Sequence, residues 1–180
     1  MSTFYCFVES PIGPLLVTSD GASVTGVYMD AHKGGAAVGA DWIECADRQP
    51  LAEARRQLDA YFAGALTRFD LPLAPCGTPF QRRVWRELQT IGFGETVSYG
   101  EIARRIELPS ASCAVGLANG RNPVSVIIPC HRVIGANGKL TGYGGGLPRK
   151  AALLDFERAV LAGGPQTVRP IQPDLFATPE

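Results

Sequence analysis

Ile127-Ile128-Pro129-Cys130-His131-Arg132-Val133-Ile134 is an apolar, β-branched run that ends at a proline and then delivers a cysteine and a histidine side by side. A free thiol has a pKa of about 8.5 and only its thiolate is a strong nucleophile, so a reactive cysteine needs a neighbour that lowers its pKa or takes its proton. His131 is the nearest base, acting directly or through a water, and a carboxylate that fixes its tautomer would complete a relay. Asp155 is the first acid downstream. Glu157 is the better candidate because it ends the apolar run Ala151, Ala152, Leu153, Leu154, Phe156, where a charge needs a partner. Taken alone, the Cys-His pair also fits a packed core, since cysteine is among the most buried residue types. Its surroundings have to decide.

Those surroundings divide by charge. The 180 residues are neutral overall and 46% hydrophobic, enough for one good core or two small ones. Residues 1–75 hold five Lys or Arg against nine Asp or Glu, a balance of −4, and residues 76–180 hold twelve against eight, a balance of +4. The basic half carries Cys130, an asymmetry of the kind that suggests nucleic-acid contact by one part of a chain. No apolar run approaches the roughly 20 residues of a membrane span. Met1-Ser2-Thr3-Phe4-Tyr5 has no basic region or long apolar segment of a signal peptide, and a cytoplasmic protein is expected. Cys6, Cys45, Cys76, Cys113 and Cys130 form an odd set with no CxxC pair, which indicates neither a disulfide framework nor a zinc ribbon. A metal site of Cys6, His32 and Cys45 would have irregular spacing.

Upstream, residues 3–9, 14–18 and 23–29 are β-prone runs separated by Pro11-Ile12-Gly13-Pro14 and Ser19-Asp20-Gly21-Ala22, which predicts a three-stranded antiparallel meander. Residues 31–48 lack periodicity and read as a loop. Pro50 suits the first turn of a helix on one face of which Leu51, Ala54, Leu58, Tyr61 and Phe62 recur, which Gly64 stops and which should cover the sheet. Leu66 to Leu73 reads as a strand or an extended connector, and Pro72, Pro75 and Gly77 place a boundary there. Beyond it, Thr78-Pro79 opens a helix with the stripe Phe80, Val84, Trp85, Leu88, Ile91. Ser98-Tyr99-Gly100-Glu101 is a capping box that starts the next helix, which Leu108-Pro109 stops. A further helix, from Ser110 or Ser112 to Asn119, makes the pair a helix-turn-helix. Its small residues Ala114, Gly116 and Ala118 would let its backbone approach a surface closely. Tyr143-Gly144-Gly145-Gly146 suits a flat ligand, a helix from about Pro148 to Ala159 carries Glu157, and residues 161–180 read as a loosely ordered tail.

Pro129-Cys130-His131-Arg132-Val133 resembles the active-site motif of the O6-alkylguanine-DNA alkyltransferases, the methylated-DNA-[protein]-cysteine methyltransferases. Phe93-Gly94-Glu95-Thr96-Val97-Ser98-Tyr99-Gly100-Glu101, Ala114-Val115-Gly116, Asn122-Pro123 and Tyr143-Gly144-Gly145-Gly146 fall in the family's order without a gap. The likeness is strong over residues 76–158 and weak over the first 75. It implies an α+β fold: a small ribonuclease-H-like antiparallel sheet with a covering helix over 1–75, and a mostly helical, winged helix-turn-helix-like domain over 76–160.

The resemblance also implies a chemistry. An O6-alkylguanine, or an O4-alkylthymine, is rotated out of duplex DNA, and the cysteine attacks its alkyl carbon. Cys130 is then the acceptor, His131 its base through a water, Glu157 the orienter of His131, and Tyr99 the proton donor to the departing ring. Asn122 is the hinge that ties the helix-turn-helix to the cysteine loop. The carbonyls of Cys130 and Val133 and the amide of Gly144 would read the base, with Tyr143 as a pocket wall. Cys113, Ala114, Gly116, Ala118, Asn119 and Arg121 would meet DNA, in a minor groove that admits a helix only when widened. No cofactor and no metal are implied, and the expected state is a monomer, with cooperative binding along DNA left open. The thioether product makes the protein a single-use reagent.

Two other classes compete: a non-catalytic lesion-binding or DNA-binding regulator, which needs no thiol, and a turnover thiol hydrolase, which would release many products per chain. One departure from the family is Cys113, which stands where an arginine enters the duplex and fills the place of the rotated nucleotide. Extruding a base costs a few kcal/mol, and cysteine is too short to offset it. An altered, duplex-impaired alkyltransferase is therefore expected. Cys113→Arg should speed reaction with alkylated duplex roughly 10- to 100-fold, for about 1.4 to 2.8 kcal/mol regained, while leaving reaction with free O6-benzylguanine as it was. Equal duplex rates for the two proteins would contradict this.

Overall fold

The computed structural model describes residues 2–29 and 37–164. The start of the expected 31–48 loop, His32 of the Cys6, His32, Cys45 trio and the tail beyond residue 164 lie outside the described residues. The architecture is mixed α+β.

Strands β1 (Phe4–Val8), β2 (Leu15–Ser19) and β3 (Val24–Met29) form the expected antiparallel meander. Central β2 is buried along its whole length, and Gly13 takes the φ of +102° that the first turn needs. A two-residue strand, β4 (Ile43–Glu44), pairs parallel to β1, so the sheet order is β3-β2-β1-β4. This corrects the reading of 31–48 as a loop throughout. Helix α1 (Leu51–Phe62) lays Leu51, Ala54, Leu58, Tyr61 and Phe62 into the core, each large side chain worth about 1.5–3 kcal/mol when fully buried.

The connector after α1 is extended but forms only a bridge, Val24 to Leu73. Pro72 and Pro75 lack the N–H groups a longer ladder would need. Gln57 of α1 pins it by accepting from the Asp70 amide and donating to the Asp70 carbonyl, both at 2.8 Å. Farther along β3, the Val27 amide donates to the Pro123 carbonyl at 2.8 Å and the Ser125 amide to the Val27 carbonyl at 3.2 Å. The sheet edge therefore holds the segment that leads to Cys130. Buried apolar residues from both halves form one contiguous core.

Helix α2 (Pro79–Leu88) begins with a full capping box between Thr78 and Gln81. Strand β5 (Val97–Ser98) leads into α3 (Tyr99–Arg105), where the Ser98 hydroxyl accepts from the Glu101 amide at 3.1 Å. The expected box is only half made, because the Glu101 carboxylate turns to Arg104 and Arg105. Helix α4 (Ser112–Gly120) packs on α2 and α3, and the Trp85 indole donates to the Ala118 carbonyl at 2.8 Å. A 3-10 turn (Cys130–Arg132) runs into β6 (Val133–Ile134), which pairs parallel with β5 and brings Val133 beside the start of α3. Helix α5 (Leu147–Leu161) packs against the 3-10 turn. Lys150 and Glu157, seven residues apart, face the same side of it.

Candidate active site

Val124 to Ile128 has the composition of a strand but folds as a compact, buried turn. Val126 sits at φ +71°, a left-handed conformation that a β-branched residue adopts only when its surroundings over-determine it. Asn122 does much of this. Its side-chain carbonyl accepts from the Val124 amide at 3.0 Å, and its Nδ2 donates to the Ile128 carbonyl at 2.8 Å and to Cys130 Sγ at 3.0 Å. Asn119 Nδ2 donates to the Cys130 carbonyl at 3.2 Å. The thiol is thus fixed by the end of α4 and by the turn before it, and is 3% exposed. Burial pushes its pKa up, against the smaller opposing pull of Asn122 and Lys150.

His131, fully buried, brings Nε2 to 2.8 Å from Glu157 Oε1. The ionised carboxylate accepts there, so Nε2 carries the hydrogen and Nδ1, which has no protein partner, holds the free lone pair. Burial lowers the His131 pKa more than Glu157 raises it, leaving the ring neutral near pH 7 and able to take a proton. Glu157 is the convergence point. Tyr61 OH donates to Oε1 at 2.7 Å, Arg132 Nη2 to Oε1 at 2.8 Å, Arg132 Nε to Oε2 at 3.0 Å and the Gly94 amide to Oε2 at 2.9 Å. Burial alone would raise the Glu157 pKa, but His131 and Arg132 together hold it far below the usual carboxylate range. Gly94 has φ +76°, a conformation that L side chains rarely adopt, so the turn that supplies its amide favours glycine. Asp155, the acid passed over, is exposed and reaches only toward Arg158.

A second cluster surrounds Tyr99. Its hydroxyl donates to the Thr141 carbonyl at 2.8 Å. Lys150 Nζ donates to the Val133 carbonyl at 2.5 Å, to the Thr141 carbonyl at 2.7 Å and, more distantly, to Tyr99 OH at 3.5 Å. Burial lowers the Lys150 pKa to about 8. Tyr99, Gly142 and Thr141 line an open cleft of about 730 Å³, together with Cys113 and Gly116 of α4. Cys130 is buried and does not line this cleft.

The structure therefore brings Cys130, Asn122 and Asn119 into one cluster, His131 and Glu157 into another, and Tyr99 with Val133 into a third through Lys150. Tyr143 is half-buried with its hydroxyl inside and unpartnered, next to half-buried Gly144. Cys113, Ala114 and Arg121 are exposed and Gly116 is half-buried. Ala118 and Asn119, expected to meet DNA, face inward at 2% and 1% exposure, because the helix turns that side to Trp85 and the Cys130 loop. Tyr61, Gly94, Arg132 and Lys150 were not singled out from the sequence. Arg132 could have been, since a charge inside a buried run needs a partner there as much as Glu157 does.

These shifts set an acid limit. Glu157 is depressed when folded, so its stabilisation is complete above its unfolded pKa of about 4.3 and is lost as pH falls below that. His131 is also depressed, so stability falls as pH drops below its unfolded value of about 6.5, where the unfolded chain binds the proton more readily. Urea unfolding of the native protein should show a midpoint that declines from about pH 6.5 downward. In Glu157→Gln the part below about pH 4.3 should flatten, and an unchanged slope there would contradict the assignment.

Family models match both halves of the chain: the ribonuclease-like domain of 6-O-methylguanine DNA methyltransferase over residues 3–75, and its DNA binding domain over residues 79–159. The methylated-DNA–protein-cysteine methyltransferase of Mycobacterium leprae is 53% identical over 152 residues, 84% of this chain and 90% of the relative. The enzyme of that name from Methanosarcina acetivorans is 53% identical over 154 residues, 86% and 97% of the two chains. A crystal structure of Mycobacterium tuberculosis OGT in complex with DNA superposes with a TM-score of 0.80 at 51% identity, covering 87% of this chain and 94% of that one. By both its halves, this chain belongs to the 6-O-methylguanine DNA methyltransferase family.

Proposed function

We propose that this protein repairs DNA by taking an alkyl group from O6 of guanine, or O4 of thymine, onto Cys130, once per chain and irreversibly. The observation that carries this is a buried thiol held by Asn122 beside a neutral histidine that Glu157 orients. The lesion base, rotated from the duplex, enters past Tyr99 and Gly142, with Tyr143 and Gly144 at its edge. His131 Nδ1 takes the thiol proton through a water as the Sγ–carbon bond forms and the carbon–O6 bond breaks. Glu157 stabilises the imidazolium this creates. Tyr99 gives its proton to the departing ring, and Lys150, 3.5 Å away, faces the oxygen left behind.

The Val133 carbonyl accepts one hydrogen bond, from Lys150, and keeps a second lone pair for the base, whereas the Cys130 carbonyl already accepts from both Asn119 and the Val133 amide, so reading of the base falls to Val133. DNA lies against the exposed side of α4, along Cys113, Ala114, Gly116 and Arg121. Division into 1–75, 76–160 and a tail from 161, action as a monomer and a cytoplasmic location complete the proposal. Five free cysteines suit a reducing compartment. A pure binding protein would have no use for the thiol and its relay.

Intact-mass analysis after incubation with O6-methylguanine duplex should show a single methyl adduct per chain, mapped by proteolysis to Cys130. Binding without an adduct, an adduct on another cysteine, or many products per chain would contradict the proposal.

A further inference from the structure

Helix α4 turns Val115, Ala118 and Asn119 into the core and leaves Cys113, Ala114, Leu117 and Arg121 on its outer side. Leu117 is out of place there. At 66% exposure it is the most exposed large apolar side chain among the described residues, on a helix otherwise kept small at its surface. It follows Cys113 by one helical turn, and both stand on the wall of the 730 Å³ cleft that holds the Tyr99 ring. Arg121 is exposed one further turn along the same side.

We infer that Leu117 is the wedge that enters the base stack where the rotated nucleotide leaves it. The inference rests on the base-extruding reading given above. Rotating a base out uncovers the faces of its two stacked neighbours, and an aliphatic side chain pushed into that gap replaces part of the lost stacking while keeping water out. Cys113 is too short to do this. Leu117 is branched, longer and two-thirds exposed, so inserting it removes apolar surface from water. Ala114 and Gly116 let the helix come close enough, and Arg121 supplies a positive charge for the phosphate backbone on the same side. Because Leu117 borders the cleft, the gap in the stack and the pocket for the rotated base lie next to each other.

Alkyl-transfer rates of the native protein, Leu117→Ala and Leu117→Met test this on O6-methylguanine in duplex, on the same strand alone and on free O6-benzylguanine. In Leu117→Ala the ratio of duplex rate to free-base rate should fall about tenfold, while the ratio of single-strand rate to free-base rate stays at its native value, since a single strand has no stack to hold open. Leu117→Met should restore the duplex ratio. A duplex ratio unchanged in Leu117→Ala, a loss equal on single strand and duplex, or a Leu117→Met protein as slow as Leu117→Ala would overturn the wedge. Failure of the native protein to react with free base would instead overturn the acceptor reading beneath it, and the wedge with it.

Discussion

A single buried carboxylate holds this molecule together where its chemistry lies. Glu157 accepts from Tyr61 in α1, from the Gly94 amide in the turn before β5, and from His131 and Arg132 in the 3-10 turn. Such a charge is tolerated inside a protein only when its lone pairs are all engaged and an opposite charge is close, and removing one partner of a buried pair commonly costs about 3–5 kcal/mol. Arg132 cancels the charge, which leaves His131 free to stay neutral. Tyr61 brings the sheet-bearing half of the chain into the relay, so that half is part of the site's support. Its ring is locked by edge-on contacts with Phe62, Phe93 and Phe156.

The other constraint is the turn before the cysteine. Val126 in a left-handed conformation stores strain that the Asn122 amide, the β3 edge and complete burial hold in place. What results is a sulfur with a fixed direction. Burial raises the cost of ionising it, so the resting group is a thiol, and reactivity depends on a base that can take the proton when the alkyl carbon arrives. Pre-organisation of this kind suits a protein that reacts once, because the alkylated sulfur never has to be returned to a thiol.

Much of this was readable in the residues. The meander, the helix over it, the two short helices and the pairing of His131 with Glu157 follow from turn chemistry, apolar spacing and a charge stranded in an apolar helix. Other features were hidden for physical reasons. β4 has two residues, too few to show alternation. Tyr61 sits on the apolar stripe of α1, where periodicity reads it as packing and says nothing of its hydroxyl. Val124 to Ile128 has strand composition, and the side-chain bonds of Asn122 together with the distant bond to β3 hold it as a turn. Ala118 and Asn119 lie on a helix whose two larger apolar residues, Val115 and Leu117, point one inward and one outward, so its sequence does not tell its inner face from its outer one.

The pH dependence of the rate with free O6-benzylguanine tests the central claim most directly, because it needs neither DNA nor a mutation. If His131 takes the proton from a thiol whose own pKa is raised, the rate is flat between about pH 7 and 8 and falls only on acidification below the lowered His131 pKa. A rate that instead climbs about tenfold per pH unit across that range would mean that only free thiolate reacts. The relay built on Glu157 would then play no part in the chemistry.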